Sequence, residues 1–234
     1  MYSALIFDPP YRFYLRILTA SYLRMKMSKV KVILDQMRLL DNDAFLQIIQ
    51  SYHRPSFTTP TLKEVILTHQ GTFKQVLNHF NLNHVDSYLD FGCGNGMISQ
   101  SVGQLLSVEP HGMDIIDNIS QIQYYQYDGK TLPSLSPYDL ITCFNVLHHV
   151  ESLDVSQLIG LLKPGGYFLL KEHDCYDEKM KLLIELQHLY YGDQMPIYTL
   201  LSKQAWIDKI GLKVVGEYQQ ENNPTACFYV LFQK

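Results

Sequence analysis

Residues 88–96 read Tyr88-Leu89-Asp90-Phe91-Gly92-Cys93-Gly94-Asn95-Gly96. The first four, apolar or aromatic around one carboxylate, have the composition of a short strand. Three glycines at alternate positions follow, and a helical pattern runs from Ser99 to Leu106. Strand, glycine turn and helix in that order mark the first turn of an open α/β sheet, where ligands lie outside the carboxyl ends of the strands. Glycine there lets the backbone turn sharply and lets a ligand approach with no Cβ in the way. The spacing is not that of a dinucleotide fingerprint, whose third glycine, counted from Gly92, would fall on Met97. That spacing, and the lack of a recognisable second catalytic domain, argue against a nicotinamide dehydrogenase.

Outward from this turn, strands and helices alternate. Strands are expected at Gly112-Met113-Asp114-Ile115, Ile122 to Tyr127, Tyr138 to Phe144 and Tyr167 to Lys171, the last opened by a turn at Lys163-Pro164-Gly165-Gly166. Helices are expected near Val155 to Leu162, at Lys179 to Tyr191, and at Lys203 to Ile210 with Gly211 as its stop. Leu212 to Tyr218 and Cys227 to Phe232 have no helix between them and read as an antiparallel pair at one edge. The fold class is therefore α/β: a doubly wound seven-stranded sheet, mostly parallel, with an antiparallel C-terminal edge. Helical patterns at 11–40 and Thr61 to Phe80, separated by Pro55 and Pro60, precede it. The expected division is a helical N-terminal segment, 1–85, serving as lid or as substrate or partner contact, and a ligand-binding domain, 86–234.

Composition narrows the class. The chain has 234 residues, 47% hydrophobic and 18% charged, which is globular usage. No apolar run reaches the length of a membrane span, and residues 1–10 lack the small-residue cleavage site of a secretory signal. The four cysteines are scattered without a C-x-x-C pair, so reduced thiols in a cytoplasmic setting are expected rather than a disulfide framework or zinc site. The net charge of −4 disfavours a general polyanion binder. Yet residues 1–40 carry Arg12, Arg16, Arg24, Lys26, Lys29, Lys31 and Arg38 against only Asp8 and Asp35. A basic arm thus precedes an acidic body.

The D-x-G-x-G-x-G pattern of Asp90 to Gly96 resembles motif I of class I S-adenosylmethionine-dependent methyltransferases, a Rossmann-like family. Gly112-Met113-Asp114-Ile115 resembles its second motif, and Tyr127-Asp128-Gly129 its third. The run Tyr138 to Val150, containing Phe144-Asn145-Val146-Leu147-His148-His149, resembles the fourth, and Leu161 to Gly166 the turn before strand five. Together these cover roughly residues 86–232. The resemblance implies that S-adenosylmethionine is held by Asp90, Gly92, Cys93, Gly94, Asn95, Gly96, Asp114, Ile115, Asp128, Gly129, Asn145 and Val146. Asp90 and the glycines would take the methionine portion, Asp114 the ribose hydroxyls, Asp128 the adenine amino group, and Asn145 would sit beside the transferred methyl. Glu109 and Asp117 are alternative acids to Asp114, and Asp128 before Gly129 also reads as a plain turn residue. His148 and His149 project about 100° apart, a poor chelating pair, so no metal is expected.

Methyl transfer is an in-line displacement on an activated donor, so the protein mainly positions the reactants. Lys171-Glu172-His173-Asp174 follows strand five at the mouth of the expected site. Alternation allows only one of its two faces to serve the site, leaving the other solvated or structural. The catalytic candidates are Asn145, Lys171 and His173. The Lys-Asp-Lys-Glu tetrad of ribose 2′-O-methyltransferases is matched at Lys171, but Asn145 and the region of Cys227 stand where its carboxylates belong. A cap guanine-N7 enzyme needs no tetrad. The Lys171 to Asp174 run and Asn223-Pro224-Thr225 also resemble methyltransferase domains of cytoplasmically replicating viruses. Three readings stay open. The first is an enzyme methylating RNA, such as a cap structure, with residues 11–40 tracking phosphates. The second is a small-molecule methyltransferase with the N-terminal helices as a lid. The third is a non-catalytic partner subunit of the same fold.

Overall fold

A computed structural model describes residues 62–82, 84–116, 122–151, 154–177, 180, 181, 184, 188, 197–219 and 227–234, with side chains from residue 70 onward. The basic arm, 11–40, lies outside the described residues. The chain divides into two compact units, 1–58 with 175–196, and 59–174 with 197–234. In the first, residues 180, 181, 184 and 188 are helical. Asp177 starts that helix by accepting the Met180 N–H on Oδ1 at 2.7 Å.

The second unit carries the sheet. Its elements run α1 (Leu62–His79), β1 (Tyr88–Phe91), α2 (Met97–Leu106), β2 (Pro110–Asp114), β3 (Gln123–Gln126), β4 (Tyr138–Phe144), a 3₁₀ turn (Leu147–His149), α3 (Val155–Gly160), β5 (Leu162–His173), α4 (Lys203–Ile210), β6 (Lys213–Gln219) and β7 (Cys227–Gln233). The seven strands lie in the order β3-β2-β1-β4-β5-β7-β6. The first five are parallel, and β7 runs antiparallel to both β5 and β6. This is the Rossmann-like, mostly parallel sheet with an antiparallel edge that the sequence implies. Strand order reverses between β1 and β4, which opens the crevice where such sheets bind ligands.

Both faces of the sheet are covered, so the central strands read as continuous apolar runs rather than alternating ones. On one face, Tyr88, Leu140, Leu169 and Tyr229 pack with Phe73, Val76 and Leu77 of α1 and Val102 and Leu106 of α2. On the other, Leu89, Phe91, Ile141, Leu170 and Val230 pack with Leu158 of α3 and Trp206 and Ile210 of α4. Helix α1, assigned on sequence grounds to the N-terminal segment, is thus part of the sheet's own core. Ser202 caps α4 by accepting the Ala205 N–H, and Gly211 ends it at φ 68°.

Strand β5 begins five residues before its expected start. The register against β4 jumps between Tyr138 and Leu140, which face Leu162 and Tyr167, so Lys163-Pro164-Gly165-Gly166 forms a bulge inside the strand rather than a turn ahead of it. Gly165 takes φ 77° there. Its N–H is satisfied by the Lys234 carbonyl at 3.1 Å.

Asp90, only 3% exposed, joins three elements. Its Oδ2 accepts from Ser99 Oγ of α2 and its Oδ1 from Thr142 Oγ1 of β4, each at 2.6 Å. Burial raises its pKa to about 6, against the lowering effect of the two hydroxyls. The folded state therefore holds the proton more tightly than the unfolded chain does. Stability associated with Asp90 is full below pH 4 and is lost as pH rises through about 6. Asp90→Asn keeps the hydrogen-bonding shape and removes this dependence. Denaturant unfolding should show the stability of Asp90→Asn relative to wild type improving by roughly 2–3 kcal/mol between low and neutral pH. A parallel pH dependence in the two proteins would show that folding leaves the Asp90 pKa unshifted.

Candidate cofactor and active site

The glycine turn leaves β1 at the switch point and hangs from β2, the Met113 carbonyl accepting from Gly92 N at 2.8 Å and Cys93 N at 3.2 Å. Gly92, Gly94 and Gly96 have φ of 74°, 55° and 76°, a region that side chains other than glycine rarely adopt. Their surroundings differ. A Cβ on Gly92 would meet Val146 Cγ2 at 2.2 Å, whereas a Cβ on Gly94 would meet nothing within 4 Å. Gly92 is therefore packed beneath the turn and Gly94 faces open space. Asn95 lies just before Gly96, the N-cap of α2, and its Oδ1 accepts from Met97 N at 3.2 Å. Cys93 is buried, and its Sγ would lie 2.7 Å from a Cβ on Gly112, so β2 needs glycine at that position.

Asp114 ends β2 beside the turn. Its Oδ2 accepts from Gly94 N and its Oδ1 from Ile115 N, both at 2.7 Å. A carboxylate has about four lone-pair sites, so ribose hydroxyls can still be accepted. Ile115 and Ile116 follow at 38% and 44% exposure, an apolar shelf next to the acid. Ile115 Cγ2 lies 3.8 Å from where a Cβ on Gly129 would stand. Asp128 accepts from Lys130 N and Thr131 N on one oxygen. The backbone bonds from Thr131 and Lys130 hold its carboxyl below the usual range. Alternative acid Glu109 precedes β2, at the far end from the turn, and Asp117 lies outside the described residues.

Asn145 leaves β4 at φ 57° with its N–H on the Lys171 carbonyl at 2.8 Å. Among the described residues its buried Oδ1 has no hydrogen-bond partner. Val146, next in the chain, is the side chain packed at Gly92. Thus the glycine turn, Asp114, Ile115, Gly129, Asn145 and Val146 gather at the carboxyl ends of β1, β2 and β4. Asp90 is placed differently: it is buried, with both oxygens engaged by Ser99 and Thr142. Those two hydroxyls form part of the site's foundation that the glycine pattern alone does not reveal.

Neither face of Lys171 to Asp174 is solvated. Glu172 and His173 are 0% and 4% exposed, and Lys171 and Asp174 are half-buried. Of the two alternatives for the face that does not serve the site, solvated or structural, the burial on both sides of β5 fits the structural one. Lys171 Nζ sits 5.7 Å from the Tyr229 ring centre. His173 Nδ1 lies 3.2 Å from Cys227 Sγ across the β5–β7 pair. Glu172 Oε1 accepts from Val146 N and Leu147 N, and Oε2 from His148 Nδ1 at 2.5 Å. Burial favours its neutral form, but the facing His148, by charge and hydrogen bond, and the charge of His173 outweigh it, so the carboxyl sits below its ordinary range.

The methyltransferase domain family matches residues 62–217. The chain belongs to that family. A malonyl-[acyl-carrier protein] O-methyltransferase of Porphyromonas gingivalis is 28% identical over 97 residues, 37% of this chain and 38% of that protein. A ubiquinone biosynthesis O-methyltransferase of Burkholderia ambifaria is 31% identical over 114 residues, 39% of this chain and 49% of that protein. The chain thus matches less than half the length of either relative. The N-methyltransferase NodS of Bradyrhizobium japonicum WM9, solved with S-adenosyl-L-homocysteine, shares the fold with a TM-score of 0.53 at 15% identity, over 71% of this chain and 86% of that one. Family membership extends across α1, ahead of the boundary expected at residue 85.

The residues present fit the cofactor implied by the family. The turn is open where a ligand would lie, at Gly94, and Asn145 Oδ1 is a buried acceptor lacking a donor. The two glycines should separate in stability measurements. Gly94→Ala should cost roughly 1–2 kcal/mol, the penalty of a left-handed backbone. Gly92→Ala should cost about 1–3 kcal/mol more, because its Cβ displaces Val146. Equal losses in denaturant unfolding would contradict the packing contact at Gly92.

Proposed function

We propose that the chain is an S-adenosylmethionine-dependent methyltransferase acting on a small-molecule acceptor. The observation that carries this is the open glycine turn braced by Asp114, with the Asn145 amide presented beside it. In this reading the turn's backbone and Asp90's scaffold hold the methionine portion, and Asp114 takes the ribose hydroxyls. Ile115 lies along the adenine, with Asp128 and Gly129 at its edge. The cofactor supplies a methyl group on a sulfonium, already activated for displacement. The protein's task is alignment and exclusion of water.

The acceptor we propose carries an oxygen or nitrogen that is nucleophilic at neutral pH, such as a carboxylate or an acidic phenol. An aliphatic hydroxyl would need a general base. Among the described residues at this end of the sheet, Asn145 cannot take a proton, Glu172 is committed to three donors, and His173 is buried against Cys227. Lys171 and His173 then serve as contacts rather than as a base. The two O-methyltransferase relatives support an oxygen acceptor. Asn145 and Cys227 stand where the carboxylates of the ribose 2′-O-methyltransferase tetrad belong, which disfavours that RNA reaction, and the basic arm lies outside the described residues. No described helix is long and apolar enough to cross a membrane.

Transfer of labelled methyl from S-adenosylmethionine should be assayed on a panel of carboxylic acids, phenols, amines, aliphatic alcohols, and capped and uncapped RNA. Label is expected in the acids or phenols, with at least about a tenfold loss in Asp114→Ala. Label only in RNA would overturn the acceptor class. Binding of the cofactor with label in nothing would favour the non-catalytic partner.

A further inference from the structure

Glu172 and His148 lie beneath the turn that follows β4, and neither belongs to the glycine turn or to the groups assigned to the cofactor. Both side chains are essentially inaccessible, at 1% and 0% exposure. One carboxylate gathers three donors from three consecutive residues: Val146 N at 3.1 Å, Leu147 N at 2.9 Å and His148 Nδ1 at 2.5 Å. The same turn is stitched to β5 a second time, by Asn145 N on the Lys171 carbonyl. On its far side, the His148 carbonyl accepts from Tyr198 N at 2.9 Å and Thr199 N at 3.3 Å. The turn is therefore held from β5 and from the segment before α4.

What this bracing fixes is specific. Asn145 stands at φ 57°, a left-handed conformation that asparagine tolerates better than most side chains but that the bonds around this turn help to hold. Its Oδ1 is the buried acceptor described above. Val146 fills the space that a Cβ on Gly92 would need. Both ends of the cofactor reading, the amide and the packed turn, thus depend on where residues 145 and 146 sit.

We infer that Glu172 and His148 form a positioning pair that sets cofactor affinity by locking Asn145 and Val146 against the glycine turn. The inference rests on the cofactor reading proposed above. Donation from His148 Nδ1 to Glu172 fixes the imidazole's orientation, so the pair acts through the turn and neither member needs to touch a ligand. Removing the His148 donor leaves Glu172 holding two backbone N–H groups with a buried oxygen unpaired, and the turn relaxes away from Gly92.

The test compares substitutions that keep or misplace the donor. In His148→Asn the side-chain amide nitrogen takes the place of Nδ1; in His148→Gln it falls nearer the place of Nε2. Calorimetric titration with S-adenosylmethionine, with thermal unfolding recorded for each protein, should give His148→Asn an affinity near wild type. His148→Gln and Glu172→Gln should bind about tenfold more weakly, out of proportion to any change in Tm. Equal affinities for the Asn and Gln variants would overturn the proposal. So would a lowered Tm with unchanged affinity, the result of a purely structural pair. If Glu172→Gln fails to fold, the two His148 variants decide. Failure of the wild type to bind would overturn the cofactor reading itself, and the proposal with it.

Discussion

A single buried carboxylate sets the frame of this molecule. Asp90 sits in β1, facing the side of the sheet that α2 covers. Through Ser99 and Thr142 it fixes the distance from β1 to α2 and to β4. The glycine turn spans the gap between the first two, and the Asn145 turn begins where the third ends. A hydrophobic residue at position 90 could fill the volume but could not orient both hydroxyls. The cost is a carboxyl that burial drives toward neutrality, with a pKa of about 6. The site above thus rests on a polar contact that is less favourable at neutral pH than under mild acid.

From that frame the site is assembled by complementary absences and excesses. Glycine at 92 makes room for Val146, and glycine at 112 makes room for Cys93. At Gly94 a Cβ would meet no neighbour, so the turn is open there. Asp114 holds the turn's N–H and its own following N–H, which anchors the acid before any ligand arrives. Glu172 does for the β4 turn what Asp90 does for the first. In each case a buried acceptor with several donors converts a flexible connection into a fixed one, at the desolvation cost that such groups carry.

Much of this is legible in the sequence because it is local. Strand, three alternating glycines and helix declare themselves within residues 88–106, and β1, β4 and α4 fall where apolar patterning and the Gly211 stop place them. The five motifs of the methyltransferase resemblance come in order. What escapes is non-local. Glu172 finds its partners about 25 residues upstream, and Asp90 finds Thr142 52 residues downstream. No spacing rule links them. The bulge at Lys163 to Gly166 looks like a turn because its proline and glycine are turn residues, yet β4 and the C-terminal Lys234 keep it within β5. Alternation across Lys171 to Asp174 leaves open whether the second face is solvated or structural, and only the covering of both faces of the sheet decides for the structural one. Helix α1 lies outside the motifs, and its packing against the sheet shows that it belongs to the same core.

The most direct test is whether the open turn and Asp114 form one ligand site. Wild type and Asp114→Asn, chosen because the amide preserves volume, should be titrated with S-adenosylmethionine by calorimetry, after both are shown to be folded. The account predicts saturable one-to-one binding by wild type, weakened at least about tenfold in the variant because the ribose loses a charged acceptor. Equal binding by the two proteins would contradict the assignment of Asp114. No binding by the folded wild type would contradict the central claim, leaving a methyltransferase-fold protein without the cofactor.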